Sequence, residues 1–322
     1  MSHQNPIEVG EDVEDSSYET DSTGSLTTSL ASTVRQYSFE NGRRYHKFRE
    51  GRYAFPNDES EQEREDLKHA MLVALLDKLH VAPIKDSPQQ ILDLGCGTGI
   101  WAVEMGDEYP SAQITGIDLS PIQPGWVPPN VSFVVDDIES DWGYPKNHFD
   151  YIHGRHICMA IRDWPKLLKQ TSTHLKPGAW IELQEILYFP KSDDGSLRED
   201  NVIFEYYTSF HQAMNNLKID MRAPTTLRKR VEEAGFTDVK EEIYKIPMGP
   251  WAKDEKLKQV GRFMRPVVLE ALQAITLGPF TRGLGWSPEK VELELAEVRK
   301  AFNDPKLHSY MDLHVIYGHK AG

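Results

Sequence analysis

The chain has 322 residues, of which 39% are hydrophobic and 27% are charged, a composition typical of a globular protein in water. The formal net charge of −14 argues against a general nucleic-acid binder, and no apolar run approaches the ~20 residues of a membrane-spanning helix. The only two cysteines, Cys96 and Cys158, argue against a disulfide framework and a cysteine zinc site, so we expect no metal, membrane or nucleic-acid partner.

The first 34 residues differ in composition from the rest of the chain. They contain seven acidic residues and no lysine or arginine, which is half of the net charge in a tenth of the length. They are rich in serine and threonine and poor in large apolar residues, so we expect residues 1–34 to form a disordered acidic tail. The segment lacks the basic and apolar regions of a secretory signal, which favours a cytoplasmic location and leaves a nuclear one open.

Residues 35–89 begin with a basic and aromatic stretch and then become helical. Asp58 or Ser60 is a candidate cap of the helix, and Leu67, Met71, Leu75 and Leu79 are spaced to lie on one of its faces. We expect residues 45–56 to form a lid over a bound ligand. The aromatic side chains of this lid either face the ligand or pack against later helices, and they are Tyr53 and Phe55.

Residues 90–190 alternate strand patterns with helical ones. The strand patterns are QILDL, QITGID, VSFVVDDI, FDYIHG and AWIELQEIL, and the helical ones are GIWAVEM and DWPKLLKQTSTHL. Such alternation predicts an α/β fold, in which a parallel sheet carries helices on both faces. A Lys-Pro-Gly turn at residues 176–178 precedes the fifth strand and agrees with this order.

Residues 191–322 follow a different pattern. Two helical stretches and the strand VKEEIYKIPMG precede an insertion, residues 250–305. The insertion is mostly helical from residue 253 to about 303, and a Gly/Pro-rich break at LGPFTRGLGWSP divides it. MDLHVIYGHK then forms the last strand. We expect the insertion to act as a helical substrate cap, whose large side chains either line an acceptor pocket or form the core of the cap. These side chains are Trp251, Phe263, Met264, Phe280 and Trp286.

A glycine-rich turn follows the first core strand and opens a helix, and its glycines are Gly95, Gly97 and Gly99. Glycines let the backbone approach a ligand, and a helix N-terminus presents free N–H groups. The third glycine comes one residue too early for a dinucleotide fingerprint, and no Gly-Lys-Ser/Thr follows as in a phosphate loop. The turn therefore indicates a different nucleotide-like ligand.

The spacing D-x-G-x-G-x-G resembles motif I of class I S-adenosylmethionine-dependent methyltransferases. The resemblance implies a Rossmann-like sheet and S-adenosyl-L-methionine as cofactor. Asp118 ends the second strand, where a carboxylate binds both ribose hydroxyls, and Asp137 and Ile138 end the third, where adenine lies in the family. The residues that we expect to bind the cofactor are Asp93, Gly95, Cys96, Gly97, Asp118, Leu119, Asp137, Ile138, Arg155 and Tyr53.

Several of these assignments have an alternative. Cys96 is interpreted as a small loop residue and not as a nucleophile, and Arg155 binds either the cofactor's carboxylate or an acidic substrate. His156 is the candidate general base, the alternative being a structural hydrogen bond at a strand end. Glu182 and Glu185 either contact substrate or cofactor, or pair with a nearby arginine.

Longer stretches resemble the fungal LaeA-like (TAM-type) methyltransferases over about residues 39–320. They include LDLGCGTGIWA, GIDLSPIQP, LKPGAWIE, EEAGFTDV and AFNDPKLHSYMDLHVIYGHK. The resemblance implies a role in fungal secondary metabolism, and some members act on small metabolites or pathway thiols. The name-giving member is a nuclear regulator that pairs with velvet-domain proteins. The stretch HGRHICMAIRDWPKLLKQ, which contains Arg155 and His156, departs from the nuclear regulators and favours an ordinary enzyme.

The sequence is therefore compatible with three functions. The favoured one is a methyltransferase that acts on a small-molecule acceptor. The second is a regulatory or protein methyltransferase in a nuclear complex with a protein partner of the velvet type, which the acidic tail could contact. The third is a scaffold without activity, against which the intact glycine turn and the carboxylates Asp118 and Asp137 count. The sequence does not distinguish methylation on oxygen, nitrogen, sulfur or carbon.

Overall fold

The computed structural model describes residues 37–40 and 42–322. The expected tail over residues 1–34 lies outside the described residues. A short 3-10 turn, Ala223–Thr225, accompanies the main elements. In chain order these elements are β1 (Tyr37–Glu40), β2 (Arg43–His46), α1 (Glu59–Leu76), β3 (Gln90–Leu94), α2 (Ile100–Glu108), β4 (Gln113–Asp118), β5 (Val131–Val135), β6 (Phe149–Arg155), α3 (Trp164–His174), β7 (Leu175–Lys191), α4 (Val202–Asn216), α5 (Leu227–Glu233), β8 (Phe236–Pro247), α6 (Glu255–Leu284), α7 (Pro288–Phe302) and β9 (Tyr310–Lys320).

Seven of these strands form one sheet in the order β5-β4-β3-β6-β7-β9-β8. The five strands from β5 to β7 are parallel, and β9 runs antiparallel to both β7 and β8. The carboxyl ends of parallel strands lie at the same edge of a sheet, so the residues that follow β3, β4, β5 and β6 are close together. Open α/β sheets bind their ligands at this edge.

The sheet is covered on both faces. Four of the five residues of β3 are buried, and so are nine of the eleven residues of β9, a pattern of strands with apolar cover on each side. Helix α2 packs on β4 and β5, and α5 and α6 pack on β8. The predicted α/β sheet with helices on both faces is confirmed.

Helix α1 begins where the sequence predicts. The Asp58 side chain accepts a hydrogen bond from the Glu61 N–H and caps the helix, so of the two candidates Asp58 is the correct one. Met71 and Leu75 are buried as expected, whereas Leu79 lies beyond the end of the helix at Leu76. The hairpin β1–β2, which the sequence pattern did not predict, precedes the helix.

The Gly/Pro-rich break predicted at LGPFTRGLGWSP is confirmed, because α6 ends at Leu284 and α7 begins at Pro288, both within this stretch. Helix α6 continues through Pro279 and ends before Gly285, whose φ of 70° terminates it in the left-handed conformation. Two glycines of its last turns lie against backbone of other elements. An added Cβ would lie 2.8 Å from the Ala54 carbonyl oxygen at Gly278, and 2.5 Å from that of Ala213 at Gly283.

Close packing thus keeps α6 helical through Pro279, a residue that removes one of the helix's hydrogen bonds.

No helix in residues 37–40 and 42–322 is long and apolar enough to span a membrane.

We expect Gly283→Ala to lower the free energy of unfolding by about 1–3 kcal/mol, because its methyl group would overlap the Ala213 carbonyl oxygen. The loss should appear although alanine favours a helix over glycine by about 1 kcal/mol. Chemical denaturation measures the change. Gly143→Ala is the control, since no atom lies within 4 Å of its Cβ position. Equal or greater stability of Gly283→Ala would contradict this packing of α6 on α4.

Candidate active site

A cleft lies at the carboxyl edge of the sheet, beneath the chain that leads into α1. Its empty space, the open mouth included, is about 1020 Å³. Ten of its residues come from the turns after β3, β4 and β5, and they are Gly95, Gly97, Thr98, Leu119, Ser120, Ile122, Asp136, Asp137, Ile138 and Glu139.

The glycine turn forms the floor of the cleft. Gly95, Gly97 and Gly99 have φ angles of 66°, 56° and 84°, a region that disfavours side chains. An added Cβ would collide with Ile157 at Gly95 and with Phe133 at Gly99. At Gly97 no atom lies within 4 Å of the Cβ position, so the backbone here borders open space of the cleft.

Asp118, the last residue of β4, lies beside this turn. Its Oδ2 accepts a hydrogen bond of 2.9 Å from the Gly97 N–H, and its Oδ1 accepts one of 2.8 Å from the Ser120 N–H. Burial raises the pKa of the carboxyl to about 6, which these two bonds oppose. Each oxygen of a carboxylate has room for a second donor, so Asp118 can also bind a pair of ligand hydroxyls.

The turn after β5 carries a second carboxylate, which binds the chain before α1. The Asp137 Oδ1 accepts from the Glu139 N–H, and its Oδ2 lies 3.3 Å from Nε of Arg52. Arg52 also donates to Glu139 at 3.0 Å, and Arg49 lies 3.8 Å from Asp137. An adenine contact by Asp137 stays a prediction, and that carboxylate is already shared with two arginines.

Arg155, at the end of β6, lines the cleft and is oriented by a hydrogen-bond chain. Its Nη2 donates to Nδ1 of His69 at 2.8 Å, and because arginine can only donate, this nitrogen carries no proton. The Nε2–H of His69 then donates to Glu104 at 3.0 Å. Burial and the charge of Arg155 lower the pKa of His69 to about 4, so the ring is neutral. No described carboxylate forms an ion pair with Arg155, which leaves it donors for an anion.

His156 follows β6 and also lines the cleft. Its φ of 56° is unusual for a residue with a side chain, and such strain clusters at functional sites. Both ring nitrogens are buried, and within residues 37–40 and 42–322 neither has a hydrogen-bond partner. Burial, and then the charge of Lys68, lower the pKa well below its ordinary value. The expected alternative, a structural hydrogen bond of this ring, is therefore not found, and a role as base stays a prediction.

Known proteins are similar in sequence to this chain over most of its length. The family model for a methyltransferase domain matches residues 64–241. The methyltransferase pytC of Aspergillus terreus is 42% identical over 98% of this chain and 96% of its own. The chain belongs to the LaeA-like methyltransferases. The secondary metabolism regulator LAE1 of Cochliobolus heterostrophus is 38% identical to this methyltransferase over 86% of this chain and 92% of its own.

Two further proteins are similar to this methyltransferase. The protein-methionine methyltransferase laeA of Emericella nidulans is 35% identical over 88% of this chain and 77% of its own. The structure of phosphoethanolamine N-methyltransferase 2 of Haemonchus contortus in complex with S-adenosyl-L-methionine is 19% identical, with a TM-score of 0.45, and the match covers 80% of this chain and 53% of that one.

The cofactor of this methyltransferase is S-adenosyl-L-methionine, and the cleft has groups that fit it. The open space at Gly97 admits the nucleoside, the carboxylate of Asp118 suits the ribose hydroxyls, and the donors of Arg155 suit the cofactor's carboxylate. Tyr53 lines the same cleft and offers an aromatic face for a sulfonium cation. Leu119 and Ile138 line it as well. These individual roles stay predictions.

Two expected cofactor residues of the methyltransferase do not line the cleft. Asp93 is 3% exposed and its Oδ1 lies 2.8 Å from Nδ1 of His153, a ring that stacks on Trp101. The thiol of Cys96 points towards Gly116 of β4, and burial raises its pKa far above the ordinary value. Both side chains therefore lie behind the turn, and the interpretation of Cys96 as a small loop residue stays a prediction.

The remaining sequence alternatives are resolved by packing. Phe55 is 1% exposed and packs edge-on against Tyr53, so it belongs to the core. Glu182 accepts hydrogen bonds from the N–H groups of Val81 and Ala82. Glu185 accepts two from the N–H groups of residues 157 and 158. Both expectations for these glutamates were wrong, because backbone donors, which no side-chain pattern reveals, hold them.

A second, narrow cavity, here called the chamber, adjoins the cleft, and its empty space, the open surroundings included, is about 420 Å³. Lys68 and Met159 line both. One face of α6 supplies six of its twelve lining residues, namely Met264, Val267, Val268, Ala271, Leu272 and Ile275 at helical spacing. The others, besides Lys68 and Met159, are Arg64, Tyr188, Tyr207 and Met311. Of the five cap residues expected here only Met264 is present, and the other four pack elsewhere. The spacing along α6 was the signal that sequence reasoning missed.

We expect Asp118→Asn to weaken S-adenosyl-L-methionine binding by about 1.5–3 kcal/mol, because a charged acceptor is lost. Only the ionised carboxylate accepts both ribose hydroxyls. Affinity of the unmodified protein should therefore fall as pH drops through about 6, the pKa of this carboxyl.

Isothermal titration calorimetry between pH 5 and 8 measures both effects, and Asp118→Asn should flatten the pH dependence. Asp107→Asn, at an exposed position, is the matched control. Unchanged affinity of Asp118→Asn would remove Asp118 from the ribose role.

Proposed function

We propose that this methyltransferase methylates a small, largely apolar molecule that binds in the chamber. Bound S-adenosyl-L-methionine supplies an activated methyl group, so the protein's task is to position the acceptor and to exclude water. The observation that carries the proposal is the continuity of two cavities: Lys68 and Met159 belong to both the cofactor cleft and the chamber. An acceptor in the chamber therefore lies next to the methyl donor.

The lid closes the donor side. Arg52 joins it to Asp137 and Glu139, and Arg162 donates to the carbonyl groups of Gly51 and Arg52. The side-chain amide of Asn57 donates to Ser120 at 3.2 Å. These contacts fasten residues 51–57 to the segments after β4, β5 and β6. In the proposal this segment excludes water from the transfer step.

His156 is the base of the proposed reaction. A neutral imidazole is required to take a proton, and the low pKa of this ring keeps it neutral at physiological pH. Its unpartnered nitrogens lie at the wall of the cleft, so no protein group competes for the acceptor's proton. We assign the enzyme of this proposal to the cytoplasm.

A second candidate is methylation of a protein. It is favoured by the name of one relative, a protein-methionine methyltransferase, and by the regulators among the others. In this alternative the acceptor is a side chain that enters the chamber from another protein, and the chain acts in the nucleus with a velvet-like partner.

The two candidates differ in where the methyl group goes. The purified chain is incubated with methyl-labelled S-adenosyl-L-methionine and an extract of the source organism, and small molecules are then separated from protein. We expect label in the small-molecule fraction. Label confined to protein would favour the second candidate, and absence of label in both fractions would contradict the proposal.

A variant tests whether transfer of the label depends on the chamber. Ala271→Leu adds bulk to the α6 wall, so we expect about a tenfold or greater loss of label transfer, with S-adenosyl-L-methionine binding unchanged. The matched control is Ala321→Leu, at an exposed position near the end of the chain. Normal transfer by Ala271→Leu would show that the acceptor does not bind in the chamber.

A further inference from the structure

A third cavity, here called the vestibule, lies between the β1–β2 hairpin, the lid and the end of α6. Ser38, Tyr45, Ala54, Leu217 and Arg282 are among its lining residues, and its empty space, the open surroundings included, is about 810 Å³. Neither the cofactor assignment nor the proposed acceptor site uses this cavity. It is roomier than the chamber, so a small molecule has space in it.

The chamber is lined by buried residues throughout the described part of the chain. Each of its twelve lining residues is at most 8% exposed, so none forms an exposed rim, and the approach to the chamber passes through a neighbouring cavity. Lys68 and Met159 line both the chamber and the cleft, and of the described chamber residues Met159 alone also lines the vestibule. In the proposed reaction S-adenosyl-L-methionine occupies the cleft, which leaves the vestibule as the approach for the acceptor.

The two residues that the chamber shares with other cavities differ in their freedom to move. The ammonium group of Lys68 lies 2.6 Å from a Glu65 oxygen, and this ion pair holds the side chain in place. Met159 has an unbranched side chain with three rotatable bonds, and a thioether adapts to different surroundings. The backbone before it is fixed, because Glu185 accepts hydrogen bonds from the N–H groups of residues 157 and 158. A rotation of the Met159 side chain can therefore open a passage while the backbone stays in place.

We infer that the acceptor enters through the vestibule, and that Met159 is the gate whose size determines which acceptors pass into the chamber. The inference rests on the proposed function and makes Met159 a specificity-determining residue. Arg52 and Tyr53 of the lid line both the cleft and the vestibule, so one segment covers the methyl donor on one side and borders the acceptor's path on the other. An apolar thioether suits a largely apolar acceptor at this position.

The path is tested by blocking the vestibule. Ser38→Cys places a thiol at the β1 wall of the vestibule, and N-phenylmaleimide attaches a ring to it. On modification, we expect methyl-label transfer to the small-molecule fraction to fall by about tenfold or more, with the dissociation constant of S-adenosyl-L-methionine within about twofold. Burial raises the pKa of the Cys96 and Cys158 thiols well above the ordinary value, so the chain without a substitution, treated in parallel, should keep its transfer. Ala321→Cys, at an exposed position, is the matched control.

The outcomes separate the inference from the proposed function. Normal transfer by Ser38→Cys, once mass spectrometry shows complete modification, would overturn the vestibule as the path and leave the proposed function intact. Loss of S-adenosyl-L-methionine binding on modification would also overturn it, because the vestibule would then belong to the donor site. Absence of label from the small-molecule fraction with the chain that carries no substitution would contradict both.

The gate itself is tested by side-chain size. Met159→Phe replaces a flexible side chain by a rigid ring, so at limiting extract the rate of label transfer should fall by about tenfold or more. Met159→Leu, which nearly conserves the volume, should keep most of the rate. The KM for S-adenosyl-L-methionine should stay within about twofold in both variants, which separates passage of the acceptor from damage to the cleft. An unchanged rate for Met159→Phe, or an equal loss in the two variants, would overturn the role of Met159.

Discussion

The hydrogen bond between the Gly97 N–H and the Asp118 carboxylate determines how the cleft is built. It ties the turn after β3 to the end of β4, its parallel neighbour, and holds a left-handed backbone in place at the cleft floor. The same carboxylate accepts from Ser120, and Ser120 in turn receives a hydrogen bond from Asn57 before α1. One side chain therefore links the turn, the second strand and the segment that covers the ligand.

Helix α1 contributes to both cavities although it precedes the sheet in the chain. Arg64 and Lys68 line the chamber, while His69, one residue further on, orients Arg155 in the cleft. This is possible because successive helical residues differ in direction by about 100°. The helix therefore contributes polar side chains to both cavities.

The fold was largely predictable from the sequence, because its order follows from periodicity. Strand and helix patterns between residues 90 and 190 gave the parallel sheet, and the spacing of Asp118 beyond the glycines located it at the sheet edge. The side of the turn that faces the ligand was not predictable, so Asp93 and Cys96 were placed in the cleft although they lie behind it. The backbone groups that donate to Glu182 are about 100 residues away, and no local pattern encodes them.

The chamber was missed for a related reason. The sequence analysis assigned the acceptor pocket to large aromatic residues of the insertion. Some of these residues pack with one another instead, as Phe280 does with Trp286. The actual wall consists of medium-sized side chains on one face of α6. These residues lie on one face of α6 before the break that the sequence predicts, and their helical spacing was not used.

The contact between Gly278 and the Ala54 carbonyl group joins the two ligand sites mechanically. Gly278 belongs to the helix that walls the chamber, and Ala54 belongs to the lid over the cleft, with no room for even a methyl group between them. A shift of α6 that accommodates an acceptor must therefore displace the lid backbone. Occupancy of the chamber and retention of the cofactor are then coupled equilibria, and thermodynamic reciprocity requires each ligand to alter the affinity for the other by the same factor.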